Sequence, residues 1–294
     1  MPGSPWVAVV TDSTAYLPAE TVAEHRLTVV PLQVVLGGRS LAEGVEVDSA
    51  QVARALLAGD PVTTSRPAPQ TFVDTYRRLI GQGARAIVSV HLSGELSGTA
   101  EAARTAARDV AKDGIEVNVV DARSIGMGLG YPALDAARAA ADGMAAAEVA
   151  AVARRRAYTT VALFYVDTLE YLRRGGRIGA AQAMLGSALA VKPLLEVHDG
   201  RLEPVDRVRT ASRALARLED LVLDRAGSDP VRVTVHHLAA AQRAGELAER
   251  LGQRLPHPVT PTVSELGAVV GAHVGPGMLG VVLAPRSGAI SGAG

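Results

Sequence analysis

The sequence predicts an α/β protein of two domains, and three observations carry that prediction. In the first half, short apolar runs alternate with alanine-rich stretches at the spacing of parallel βαβ units. In the second half, two extended runs flank His198-Asp199-Gly200, a hairpin signal that points to a mixed sheet. A chain of 294 residues with 48% hydrophobic content is long enough for two ordinary cores. The expected division is a mainly parallel N-terminal domain with flanking helices over residues 1–160, a mixed α/β domain over 161–286, and a disordered tail over 287–294.

Val7–Val10 reads as a buried strand, followed by a polar turn at Asp12-Ser13-Thr14 and a short helix opened by Pro18. Leu27–Leu36 is a second extended run, ended by Gly37-Gly38. Asp48 fits the N-cap of a helix to about Gly59. Pro67 and Pro69 enforce an extended loop at TTSRPAPQTF, before a helix through Tyr76 and Leu79. A strand through Ile87 runs to His91, a Ser/Gly loop follows, and a helix starts near Ser97. Val117–Val120 is a strand, and Gly128–Arg156 is helical with a break near Gly143.

The second half opens with a strand at Val161–Val166 and a short helix, Thr168–Arg174, closed by Gly175-Gly176. An alanine-rich helix spans Gly179–Ala190, and Val191–Val197 and Arg201–Arg209 form the hairpin. Helices at Ala211–Arg225 and Ala239–Leu251 enclose a strand at Val231–His236. The last strands are Val259–Ser264 and Leu279–Leu283, joined through a glycine-rich bridge.

Composition excludes several classes of function. Thirty basic and thirty acidic residues give no net charge, which argues against a broad nucleic-acid surface. Without cysteine there is no disulfide, thiolate catalysis or cysteine-ligated metal. The start has no basic region ahead of a long apolar run, and no apolar stretch is long enough to span a bilayer, so a cytoplasmic protein is expected. There is no P-loop, no Rossmann glycine motif and no cluster suited to paired magnesium ions, so no cofactor and no metal is expected.

The stretch IVSVHLSGELSGTAEAARTAA, Ile87–Ala107, is a natural anion site. A strand feeds a small-residue loop and a helix N-terminus, where N–H groups lack intrahelical acceptors and the dipole favours negative charge. Ser93, Ser97 and Thr99 add hydroxyl donors, and Gly94 and Gly98 let the backbone approach a ligand. Ser97 fits equally well as an ordinary N-cap. The segment contains no lysine, so a carboxylate suits it as well as a phosphate. Thr63-Thr64-Ser65 offers further hydroxyls in the proline-stiffened loop, and Asp12-Ser13-Thr14 either lines a site or caps the next helix. Arg177 follows a Gly-Gly helix stop, and His273 in GAHVGPG has small neighbours that leave its ring room to reach a ligand.

Seven motifs stand in order along the chain: TDSTAYLP (Thr11–Pro18), TSRPAP (Thr64–Pro69), LSGELSGT (Leu92–Thr99), VDARSIGMGLG (Val120–Gly130), the long stretch Val166–Gly200, VDRVRT (Val205–Thr210) and AHVGPGMLG (Ala272–Gly280). Taken together they resemble the DegV family of lipid-binding proteins. The resemblance covers Val7 to about Leu283. It implies a two-domain fold related to the dihydroxyacetone kinase substrate domain, with a long-chain fatty acid such as palmitate as ligand. It also implies that Thr64 and Ser97 hold the carboxylate, with Ser93, Gly98, Arg177 and His273 near that end; the spacing of Thr64 and Ser97 fits loops at the same edge of one sheet. Arg177 and His273 would help polarise the carboxylate or contact the kinase, and Arg177 and Arg209 would contact a partner or phosphate. Two positions depart from the family pattern: Ser93-Gly94 stands where a serine pair is usual, and Arg66 where glutamine is frequent.

Proteins of this family act as the acyl-carrying, non-catalytic subunit of a bacterial fatty acid kinase, presenting the carboxylate to a separate ATP-binding subunit. Physical chemistry agrees with that reading. Hydrogen bonds to a carboxylate are about twice as strong as neutral ones, and each buried methylene contributes about 0.8 kcal/mol. Ala162–Leu172 and Met184–Leu195 offer apolar walls or plain core. A serine hydrolase using Ser97 and His273 is the main rival, but it lacks the GxSxG elbow and an evident orienting carboxylate. A dihydroxyacetone-kinase-like subunit is the other.

Overall fold

The computed structural model describes residues 6–184 and 191–286. Along the chain the elements are β1 (Trp6–Asp12), α1 (Ala19–Glu24), β2 (Thr28–Val30), β3 (Gln33–Leu36), β4 (Arg39–Ala42), α2 (Ser49–Ala58), β5 (Val62–Ser65) and α3 (Pro69–Gly81). Next come β6 (Ala84–His91), α4 (Thr99–Val110), β7 (Glu116–Asp121), α5 (Met127–Ala141) and α6 (Ala146–Thr159). The second half adds β8 (Val161–Tyr165), α7 (Glu170–Arg174), β9 (Lys192–His198), β10 (Arg201–Val208), α8 (Ala211–Ala226), β11 (Val231–His237), α9 (Ala241–Arg254), β12 (Thr262–Glu265), α10 (Ala268–Val274) and β13 (Leu279–Pro285).

The described residues form two compact units, one of residues 6–47 and 64–158, the other of 48–63, 159–184 and 191–286. A single division at 160/161 therefore misses an excursion: residues 48–63 belong with the second unit, where α2 packs against α10. The apolar face of α2 (Val52, Ala53, Leu56) is matched by the helix at 268–274, apolar apart from His273, a contact between segments too far apart for local periodicity to reveal. The tail expected at 287–294 and the end of the helix expected at 179–190 lie outside the described residues. The described part of that helix, Gly179–Met184, is a 3-10 segment.

In the first unit a four-stranded parallel sheet runs in the order β2-β1-β6-β7. Ala8, Val10 and Ile87 face α3 and α4, packing on Phe72, Tyr76, Ala103 and Ala106. Such a sheet needs apolar residues on both faces, and β6 is buried from Ala86 to His91. The run Leu27–Leu36 is two strands in two sheets. Pro31, which has no N–H to continue a ladder, breaks it, and β3 joins the small sheet β4-β3-β5 through a hairpin at Gly37-Gly38. The expected loop at Thr63–Ser65 is thus strand β5, and proline stiffening begins only at Pro67.

The second unit carries a six-stranded mixed sheet, β10-β9-β8-β13-β11-β12, parallel only at β11–β12. One face packs Leu163, Tyr165, Leu194, Val233 and Val281 against α8 and α9. The alternate positions Ala162, Phe164, Leu195 and Val282 are buried too, so both sheet faces are apolar. The expected hairpin forms across Asp199-Gly200, both at positive φ. Among the described residues no helix is long and apolar enough to cross a membrane.

Candidate functional site

In the first unit the site is built where the central strand β6 ends. After His91 the chain turns through Leu92–Gly98 into α4. Ser93, 1% exposed, organises this turn: its carbonyl accepts the N–H of Leu96 (3.1 Å) and Ser97 (3.0 Å), and its hydroxyl accepts that of Glu95 (3.2 Å). The Gly94 N–H donates to Asp121 Oδ2 at 3.0 Å, and a β-carbon at 94 would lie 2.8 Å from that oxygen. The departure from a serine pair thus has a local cause: Asp121 occupies the space beside residue 94.

The helix begins at Thr99, with Gly98 as its N-cap and no side chain capping it. Ser97 is therefore not the N-cap. Its half-buried hydroxyl instead pairs with that of Thr99 at 2.9 Å. Glu101, the acid in the first turn, is held by Arg104 and Arg108 rather than folding back on the terminus. The positive end of a twelve-residue helix thus carries no side-chain cap and has two hydroxyls beside it.

Thr64 lies half-buried on the edge strand β5, so Thr64 and Ser97 come from different sheets, correcting the expectation of one sheet edge. The two segments meet all the same. Arg66 lies against Gly98: a β-carbon at 98 would sit 2.3 Å from Arg66 Nη1 and 2.9 Å from its Cδ. The sequence alone leaves the direction of Arg66 open, and the structure turns it to the helix terminus.

Behind this loop lies a fully buried polar chain. Tyr76 donates to Ser89 (2.9 Å), Ser89 contacts His91 Nε2 (2.7 Å), and His91 Nδ1 contacts Asp12 Oδ2 (3.0 Å). Asp12 also accepts the Leu92 N–H (3.0 Å), the Thr14 N–H (3.1 Å) and the Thr14 hydroxyl (2.6 Å). Asp12, Ser89 and His91 have a triad's connectivity but are wholly inaccessible, so no substrate reaches this serine. Sequence reasoning missed Ser89, His91 and Tyr76. The only signal was a polar pair, i and i+2, within a strand that otherwise reads as core.

The second unit gathers the remaining motifs. His273 on α10 packs against Gly175, where a β-carbon would lie 2.1 Å from the imidazole Nδ1. The exposed Arg177 donates to the Gly175 carbonyl at 2.7 Å. Burial, assisted by the charge of Arg177, lowers the His273 pKa to about 4, so the ring is neutral at neutral pH. Gly275, at φ +74°, lies under the Tyr171 ring, and Gly277, at φ +87°, against the Asp167 carboxylate. Asp167 is bonded to Tyr165 and, at 3.1 Å, to Lys192. Gly175 and Gly277 admit close neighbours that any side chain would displace. Arg209 stands apart, exposed just before Thr210, whose hydroxyl caps α8. Among the described residues no acidic or histidine cluster could hold a metal.

Nearly the whole chain matches one family of known proteins. The DegV family, described as uncharacterised proteins, matches residues 6–286. A DegV domain-containing protein of Streptomyces coelicolor is 57% identical over 280 residues, covering 95% of this chain and 99% of its own length. DegV of Bacillus subtilis, solved as a fatty acid binding protein, superposes with a TM-score of 0.87 at 34% identity, over 96% of this chain and 100% of that one. A DegV family protein from Thermus thermophilus, solved for its fatty acid binding, gives 0.88 at 33%, over 95% and 99%. The chain belongs to the DegV family.

Proposed function

We propose that this protein binds a long-chain fatty acid and holds its carboxylate at the N-terminus of α4. The observation that carries this reading is the convergence of an uncapped helix end, the Ser97–Thr99 hydroxyl pair and the Arg66 guanidinium at Gly98. A cation resting on the positive end of a helix is repelled unless an anion sits between them. A carboxylate satisfies both, with Thr64 and Ser97 as hydroxyl donors and Ser93 holding the turn. The fatty acid binding of the Bacillus and Thermus relatives supports the choice of ligand.

The protein acts in the cytoplasm as a carrier, not as an enzyme by itself, and presents the carboxylate to a separate ATP-binding kinase subunit that forms the acyl-phosphate. Arg177, exposed at a glycine turn, suits contact with a partner or with the phosphate being transferred, and the neutral His273 beside it can donate or accept a hydrogen bond. Mass spectrometry of an organic extract of folded protein is expected to show saturated or monounsaturated fatty acid, and palmitate to raise the melting temperature. A clean extract together with no thermal shift for palmitate or oleate overturns the reading.

A further inference from the structure

The buried chain Tyr76–Ser89–His91–Asp12 joins the elements that carry the carboxylate site, and its members have no exposure to solvent. Tyr76 belongs to α3, the helix that starts at Pro69, directly after the segment bearing Thr64 and Arg66. A second α3 residue, Phe72, stands edge-on to His91 at 5.0 Å between ring centroids. At the other end, Asp12 accepts the backbone N–H of Leu92, the first residue of the turn bearing Ser93 and Ser97. The chain is continuous from one end to the other. Tyr76 donates to Ser89, Ser89 pairs with His91 Nε2, and His91 Nδ1 pairs with Asp12, whose second oxygen is taken by Thr14. No partner can be removed without leaving a buried polar atom unmatched.

We propose that this chain is a positioning device for the carboxylate site, holding α3 and the Thr64–Ala68 segment in fixed register with the Leu92–Gly98 turn. The role rests on the fatty-acid reading above. Its members touch no ligand: Tyr76, Ser89, His91 and Asp12 are positioning residues. Donors for one carboxylate must agree in position to a fraction of an ångström, and two loops from different sheets have no shared ladder to enforce that. A buried, fully satisfied network supplies the missing constraint.

The test is Tyr76→Phe, which removes one hydroxyl and keeps the ring in the core. Palmitate affinity is expected to fall about three- to tenfold, the scale of one lost hydrogen bond. Binding of hexadecanol, which lacks the carboxylate, is expected to stay within twofold (about the error of such a comparison). Thr64→Ala placed on Tyr76→Phe should then cost less than it does alone. A purely structural role predicts a lower melting temperature with palmitate affinity unchanged, or both ligands weakened alike, and either result overturns the proposal. Amide hydrogen exchange decides the coupling without any ligand: Tyr76→Phe should speed exchange across Leu92–Gly98, and unchanged protection there refutes it. Wild-type protein that binds no acyl ligand while exchange still responds overturns the fatty-acid reading and leaves the coupling standing.

Discussion

Arg66 and Gly98 are a matched pair: the guanidinium rests where any side chain at 98 would have a β-carbon, 2.3 Å from Nη1. Gly98 has φ −73° and ψ 12°, a conformation open to every residue, so its smallness serves the neighbour and not the backbone. That separates two effects usually confounded at glycine.

Gly98→Ala should therefore fold normally and displace only the flexible Arg66 side chain. Its loss of palmitate affinity should match that of Arg66→Gln, about two- to fivefold for an exposed charge. The double variant should be no worse than either single one. Isothermal titration at low and high salt checks this, because the arginine contribution is screened. A fully additive double variant would separate the two residues.

Thr64→Ala and Ser97→Ala each remove a hydroxyl donor from the same anion. The expected cost is about 1.5–3 kcal/mol each, or about ten- to a hundredfold in affinity. Displacement of a fluorescent fatty acid measures it directly. Wild-type affinity in both variants would put the carboxylate elsewhere.

Arg177→Ala should keep its lipid and its melting temperature, because the side chain is exposed and an exposed charge contributes little to stability. Acyl-phosphate formation with a cognate kinase subunit should fall sharply. A variant that loses lipid, while a preloaded form turns over normally, would make Arg177 a carboxylate ligand.

Acid should weaken the fold above the range where carboxylates titrate. Burial lowers His236 to about 4, and burial with the Arg177 charge lowers His273 to about 4, against about 6.5 for an unfolded histidine. Between those values the unfolded chain binds protons that the folded chain refuses. Stability is complete above about pH 6.5 and is lost as pH falls toward 4. Urea midpoints at pH 7 and pH 5 should show the drop. In Arg177→Ala the His273 titration, followed by NMR, should move up but stay below 6.5, since burial is the larger cause.

Much of this protein is legible along the chain because its signals are local. The apolar run at Val7–Val10, the Asp48 cap, the break near Gly143 and the Asp199-Gly200 turn each depend on a few adjacent residues, and each appears where those residues stand. The family motifs likewise survive as short strings that need no fold to be recognised. What failed was read from residues whose partners are distant in sequence. Glycines at 267, 271 and 275 make α10 resemble a loop, yet Gly271 packs against Leu238 and the helix is almost wholly buried. Ser89 and Tyr76 read as a strand residue and a helix face, and only packing of α3 on β6 makes them a hydrogen-bonded chain. Arg66 is one more arginine among many until folding lays it on Gly98. The physical reason is the same in each case: local chemistry sets backbone conformation over a few residues, whereas hydrogen-bond partners and charge neighbours exist only once separate elements are packed together.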